Sequence, residues 1–133
     1  MNYEYTAIPA SELPPAAVPL LQHAIETYLS ETNKVASTWR CFQDNDLDWK
    51  PHARSSTVRE ILRHQLLSER RFFGEFLQTP EPEPSAVLPS QDLIDAFTSR
   101  FVELARPRLA YLAGQPEGWW LGHVPFFDVE RER

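Results

Sequence analysis

Apolar residues recur along this chain in three runs of helical spacing, separated by stretches where proline, glycine and short polar residues break the rhythm. In the first run Val18, Leu21, Ile25, Tyr28, Thr32, Val35 and Trp39 follow alternating steps of three and four, which puts them on one stripe of a helix and predicts its burial. The second run, Val58, Ile61, Leu62, Gln65, Glu69, Phe72, Phe73 and Phe76, ends in aromatic residues that close its C-terminal half against neighbours. The third, Leu93, Ile94, Phe97, Phe101, Leu104, Ala105, Leu109 and Leu112, ends at Gly114, a residue suited to stopping a helix. Pro107 lies inside this third run and is expected to kink it, since it removes one amide and crowds the preceding turn. The pattern predicts an all-α fold with three long helices.

The punctuation sharpens the boundaries. Residues 1–15 carry Pro9, Pro14 and Pro15 and read as an irregular arm, and Pro19 fits only the first turn of the helix that follows. Residues 43–54 are polar and turn-rich, and Pro51 excludes helix at Lys50, so they form a loop. Thr57-x-x-Glu60 is a start signal for the second helix, because the hydroxyl accepts a first-turn amide while the glutamate reaches back; Ser55 and Ser56 are alternative caps. Residues 79–89 hold four prolines and are expected to be an extended connection without helix or sheet. Ser90 is the expected cap of the third helix, with Asp92 complementing its dipole. Beyond it, Gly118 to Val129 read as short extended pieces or a small hairpin, and Glu130 to Arg133 as the opening of another helix.

At 133 residues the chain is most simply one domain. Thirteen Lys and Arg against nineteen Asp and Glu give a net charge of −6, so no clustered basic surface is expected and neither DNA nor RNA is an expected partner. Cys41 is the only cysteine, which excludes an intramolecular disulfide and suits a reducing compartment. The N-terminus lacks the basic and apolar regions of a signal peptide, and no window approaches eighteen apolar residues; the expectation is a cytoplasmic protein that does not enter membranes.

The stretch from Asp48 to Phe73 contains Trp49-Lys50-Pro51, a Ser/Thr-rich cap and a helix carrying His64 in its second turn. It resembles the second-helix signature of DinB-like four-helix bundles, and the order of elements over residues 16–129 is similar to that family's. The resemblance implies an up-down helical bundle in which His64 is a metal ligand. In the family a fourth helix adds a His-x-x-x-His pair, completing a three-histidine site for nickel or zinc. Residues one turn apart share a helix face, so such a pair suits one ion. No such pair follows His64 in this chain. The expectation is therefore that the fourth helix lies beyond Arg133 or is supplied elsewhere, and that a homodimer covers the seam it would leave.

The implied function is a metal-dependent enzyme of stress or detoxification chemistry, either a thiol (S-)transferase or a hydrolase. It would act on a small molecule, with a low-molecular-weight thiol as partner. His123 and His52 are the further candidate ligands near His64, and Glu60, one turn before it, is a candidate carboxylate behind the ligand as well as a capping residue. Trp39, Trp49, Trp119 and Trp120 are candidates to line an apolar pocket, against the plainer reading that they pack core and seam. Cys41 has no activating base in its sequence neighbourhood and reads as a structural thiol. The alternative function is a non-catalytic bundle that binds a small apolar ligand or a second copy of itself.

Overall fold

The computed structural model describes residues 3–133. Helix α1 (Gln22–Trp39) is entered through a 3-10 turn, Pro19–Leu21, with the proline in its first position, where a missing amide does no harm. It buries Ile25, Leu29, Thr32, Ala36 and Trp39; of the expected stripe Ile25, Thr32 and Trp39 are buried, Tyr28 and Val35 are half-buried, and Val18 and Leu21 precede the helix. Thr32 sits among apolar neighbours because its hydroxyl donates to the carbonyl of Tyr28 at 2.8 Å.

Helix α2 (Val58–Arg71) starts at the predicted capping box: the Thr57 hydroxyl accepts from the Glu60 amide at 3.2 Å and the Glu60 carboxylate accepts from the Thr57 amide at 2.7 Å. The Thr57 amide and hydroxyl, both donating to the Glu60 carboxylate, hold it below its ordinary range. The buried stripe is Val58, Leu62 and Leu66, in steps of four. Ile61, expected on that stripe, is 52 % exposed, because the face that meets the core is turned one position further along the helix. From Phe72 to Leu77 the backbone widens into a π-helical turn, which ends in a left-handed Gln78 (φ 57°). Phe73 and Leu77 point inward from it.

The proline-rich connection differs from expectation: it contains a one-turn helix, α3 (Pro84–Val87). Pro84 occupies the first position, where its fixed φ is compatible with helix, and Val87 is fully buried. Arg100 ties down the end of the turn by donating to the Val87 and Ala86 carbonyls. Helix α4 (Ile94–Ala113) is the longest, and it continues through Pro107, which lies on its exposed side. Ser90 is not its cap. The first amide, on Ile94, donates instead to the Asp44 carboxylate at 2.8 Å, fifty residues earlier in sequence. Asp92, expected to complement the dipole, accepts from Arg59 and Arg63 of α2. Asp44→Ala should therefore cost about 1 kcal/mol, the usual loss for a helix cap, read as a lowered midpoint in thermal unfolding while Ser90→Ala leaves it unchanged.

The main core joins α1 and α4 through Ile25, Leu29, Ala36, Trp39, Phe97, Phe101 and Leu109, with Leu62 and Leu66 of α2 closing it. Three residues outside the long helices complete it, Ile8, Leu47 and Val87. Ile8 belongs to the N-terminal arm, which is irregular apart from a turn at Ala10–Glu12. Asn33 clamps that arm, accepting from the Ile8 amide and donating to its carbonyl, both at 2.9 Å. A smaller cluster of Phe73, Leu77 and Leu112 is packed by Phe76, Trp119 and Trp120, and Tyr28 touches both clusters.

After a helical turn, α5 (Glu117–Trp120), the chain forms a hairpin of β1 (His123–Phe126) and β2 (Val129–Glu132), antiparallel, with Phe126 opposite Val129 and His123 opposite Glu132. The hairpin alternative of the tail reading is the one found. The helix opening expected at Glu130 to Arg133 is instead strand β2, because burial of Val124 and the packing of Phe126 on Phe72 and Phe76 hold β1 in place and β2 pairs with it. The architecture is mainly helical with one two-stranded sheet. Among the described residues no helix is long and apolar enough to cross a membrane.

Candidate functional site

The predicted ligand residues stand apart. His64 is on the exposed face of α2, and among the described residues its imidazole makes no hydrogen bond, ion pair or ring contact. His52 is in the exposed loop before α2, where its Nδ1 accepts from the Arg54 amide at 3.1 Å. His123 opens β1 and faces Glu132 across the strands, Nε2 to carboxylate oxygen 3.6 Å, with both side chains more than half exposed. Glu60 is held by Thr57 in the capping box rather than by His64. Among the described residues no three His, Cys, Asp or Glu side chains gather where they could hold a metal ion. The donor set for the implied nickel or zinc is thus one imidazole here, too few to fix an ion.

The four tryptophans do not form one pocket. Trp39 is buried in the main core with its ring 4.8 Å from Phe101, and Trp49 is exposed in the loop. Trp119 and Trp120 are half-buried, packed edge to face at 5.0 Å in the smaller cluster. An open cleft does lie one turn from His64 along α2, between the π turn and the hairpin, lined by Ser68, Arg71, Phe72, Glu75, Phe126 and Phe127. Arg71 is paired there with Glu75 at 3.0 Å and approaches the Phe127 ring.

Among the described residues a strongly organised polar group lies elsewhere, and the sequence pattern did not point to it. Arg108 of α4 is 2 % exposed. Its Nε and Nη2 donate to the two Glu81 oxygens at 2.7 and 2.8 Å, and Nη1 donates to Glu69 at 2.9 Å. The guanidinium stacks on Phe73, 4.6 Å from the ring centre. The Thr79 hydroxyl donates to Glu81 and the Gln65 amide to Glu69. Burial works against the Arg108 charge, but its interactions with Glu81 and Tyr28 together outweigh this and raise its pKa. Burial raises the Glu69 carboxyl, with Arg108 opposing. Tyr28 is raised too, first by burial and then by the Glu69 charge, with Arg108 opposing.

Two carboxylates share one guanidinium, and burial, more than the excess negative charge, raises Glu69 and Tyr28. Mechanically the group ties α2, the proline-rich connection and α4 together. A signal for it existed: Tyr28 and Glu69 fell on apolar stripes, and a carboxylate on a buried stripe requires a cation from another element.

Comparison of the chain with protein-family models, with curated proteins and with solved structures gave no match.

Proposed function

We propose that this chain belongs to a DinB-like metal-dependent enzyme, a thiol (S-)transferase or hydrolase of stress or detoxification chemistry in the cytoplasm, in which His64 is one ligand of a nickel or zinc ion. The observation that supports this reading is the free imidazole of His64, presented on an exposed helix face beside an apolar cleft. A histidine held for packing would be buried or hydrogen-bonded, and this one is neither. The remaining ligands have to come from outside the described residues. A bound ion of this kind lowers the pKa of a coordinated thiol or water, and the protein's own part is to hold the organic portion of the small molecule against Phe72, Phe126 and Phe127.

A second reading, a non-catalytic bundle that self-associates or takes a small apolar ligand, is favoured by a different observation. Ile61, Phe72 and Phe127 leave apolar surface exposed on the same side of the molecule as His64. The experiment measures nickel and zinc per chain by mass spectrometry, together with solution mass by light scattering, for the wild type and His64→Ala. Metal that depends on His64 and is unaffected by His52→Ala and His123→Ala, in a form of the protein that carries the remaining ligands, is the expected result. Metal content that His64→Ala leaves unchanged overturns the enzyme reading, and a metal-free dimer that an Ile61→Asp change dissociates supports the second.

A further inference from the structure

The hairpin that closes the cleft is built differently from the helices it rests on. A two-stranded sheet has little stability of its own in water. Every residue of β2 is exposed, and in β1 only Val124 is fully buried. The His123 and Glu132 pair is too exposed to contribute much. The turn places Phe127 at φ 50°, a left-handed conformation that a side chain with a β-carbon resists, and its ring is 71 % exposed, so no burial compensates the strain.

Besides the buried Val124 and the contact of Arg71 with the Phe127 ring, attachments at the two ends hold the hairpin down. The Phe126 ring packs on Phe76 at 4.5 Å and on Phe72 at 5.9 Å. At the other end Arg133 donates to the Leu77 carbonyl at 3.3 Å, to the Trp119 carbonyl at 2.9 Å and to the Gln78 side-chain oxygen, and its guanidinium lies 4.7 Å over the Trp119 ring. Gly122 makes room for this, because a β-carbon there would meet Arg133 Nη1. Leu121 and Gly122, between α5 and β1, join the hairpin to the helical part.

We infer that β1 and β2 form a flap, hinged at Leu121 and Gly122, latched by Arg133 and caught by Phe126, that opens without unfolding the helices and uncovers Phe72 and Phe76. Opening exposes the Val124 side chain and breaks the contacts of Phe126 and Phe127 and the guanidinium latch, whereas α1 and α4 share an extensive buried core. Segments with few buried contacts open at a fraction of the global free energy. The uncovered floor is continuous with the cleft that begins at Ser68. The flap does not depend on whether His64 holds a metal.

Amide hydrogen exchange by NMR on the 133-residue chain tests this. The ladder amides of β1 and β2 should be measurably protected yet exchange far faster than Phe97 and Phe101 in α4. Arg133→Ala should speed the ladder amides about tenfold, as removal of a charge-assisted hydrogen bond does, and leave α4 unchanged. Phe127→Gly, which relieves the turn, should slow the remaining ladder amides severalfold. The inference is overturned if ladder and α4 amides exchange together at one rate, if Arg133→Ala leaves the ladder unaffected, or if the wild-type ladder shows no protection, since then there is no closed flap to open.

Discussion

Arg108→Ala is expected to lower folding stability by about 3–5 kcal/mol, because it leaves two carboxylates buried without their cation. A domain of this size has roughly 5–15 kcal/mol in total, so the variant should be partly unfolded at moderate temperature. Urea titration followed by far-ultraviolet circular dichroism reads the loss. The charge itself is not what the fold requires: replacing Arg108 and Glu81 by methionine and Glu69 by leucine together should recover most of the loss, since apolar residues of similar volume avoid the desolvation. A loss below about 1 kcal/mol in Arg108→Ala would mean that water reaches the carboxylates and that the group is not sealed.

The same group gives the stability of the wild type a pH dependence of known sign. The Glu69 carboxyl is raised in the folded state. Its contribution is therefore fully present below the unfolded value, about 4.3, and fades as pH rises through the higher folded value. Glu69→Gln should flatten the stability curve in that window, and lowering the pH should partly rescue Arg108→Ala by neutralising the stranded carboxylates.

The second large effect is expected at Phe101. Its ring is 1 % exposed and lies against Trp39, bridging α4 to α1 at the centre of the main core. Phe101→Ala removes most of a ring that close-packed neighbours cannot collapse to fill, a change that costs about 3–5 kcal/mol. Phe101→Leu, which retains much of the volume, should lose less than half as much. An alanine variant with an unchanged urea midpoint would place the main core elsewhere than between α1 and α4.

What the sequence made legible was whatever depends on neighbours a few residues apart. The capping box at Thr57 and Glu60 was readable because both partners lie within one turn. The three long helices followed from their spacing, and the hairpin was one of two readings of a segment rich in aromatic residues. Most of the failures involve distant partners. Ser90 has the chemistry of a cap, but Asp44 reaches the helix start first and fixes it at Ile94. Glu130 to Arg133 favour helix locally, and pairing with β1 overrides that preference. Ile61 and Leu66 are both compatible with an apolar stripe, and only the orientation of α2 on α4 decides that Leu66 is inside. For the candidate site, His64 was singled out from its setting in the chain, and the structure gathers no further ligand beside it among the described residues. The Arg108 group was not, because its members are 12 to 39 residues apart and their spacing carries no pattern.

The π turn sets the spacing on which that buried group depends. In it the Gln78 and Thr79 amides both reach back to the Phe73 carbonyl, so the wider turn absorbs one residue more than an ordinary α-helix would. Glu81 follows directly and meets Arg108 with both oxygens. A deletion of one residue between Phe72 and Leu77 would give the backbone an easier path, restoring ordinary helical hydrogen bonds, and would at the same time carry Glu81 out of register with its guanidinium. Length variation in this protein is therefore least tolerable where the backbone is least regular, and the surface loop at residues 50–56, whose length sets no buried pair, is where insertions belong.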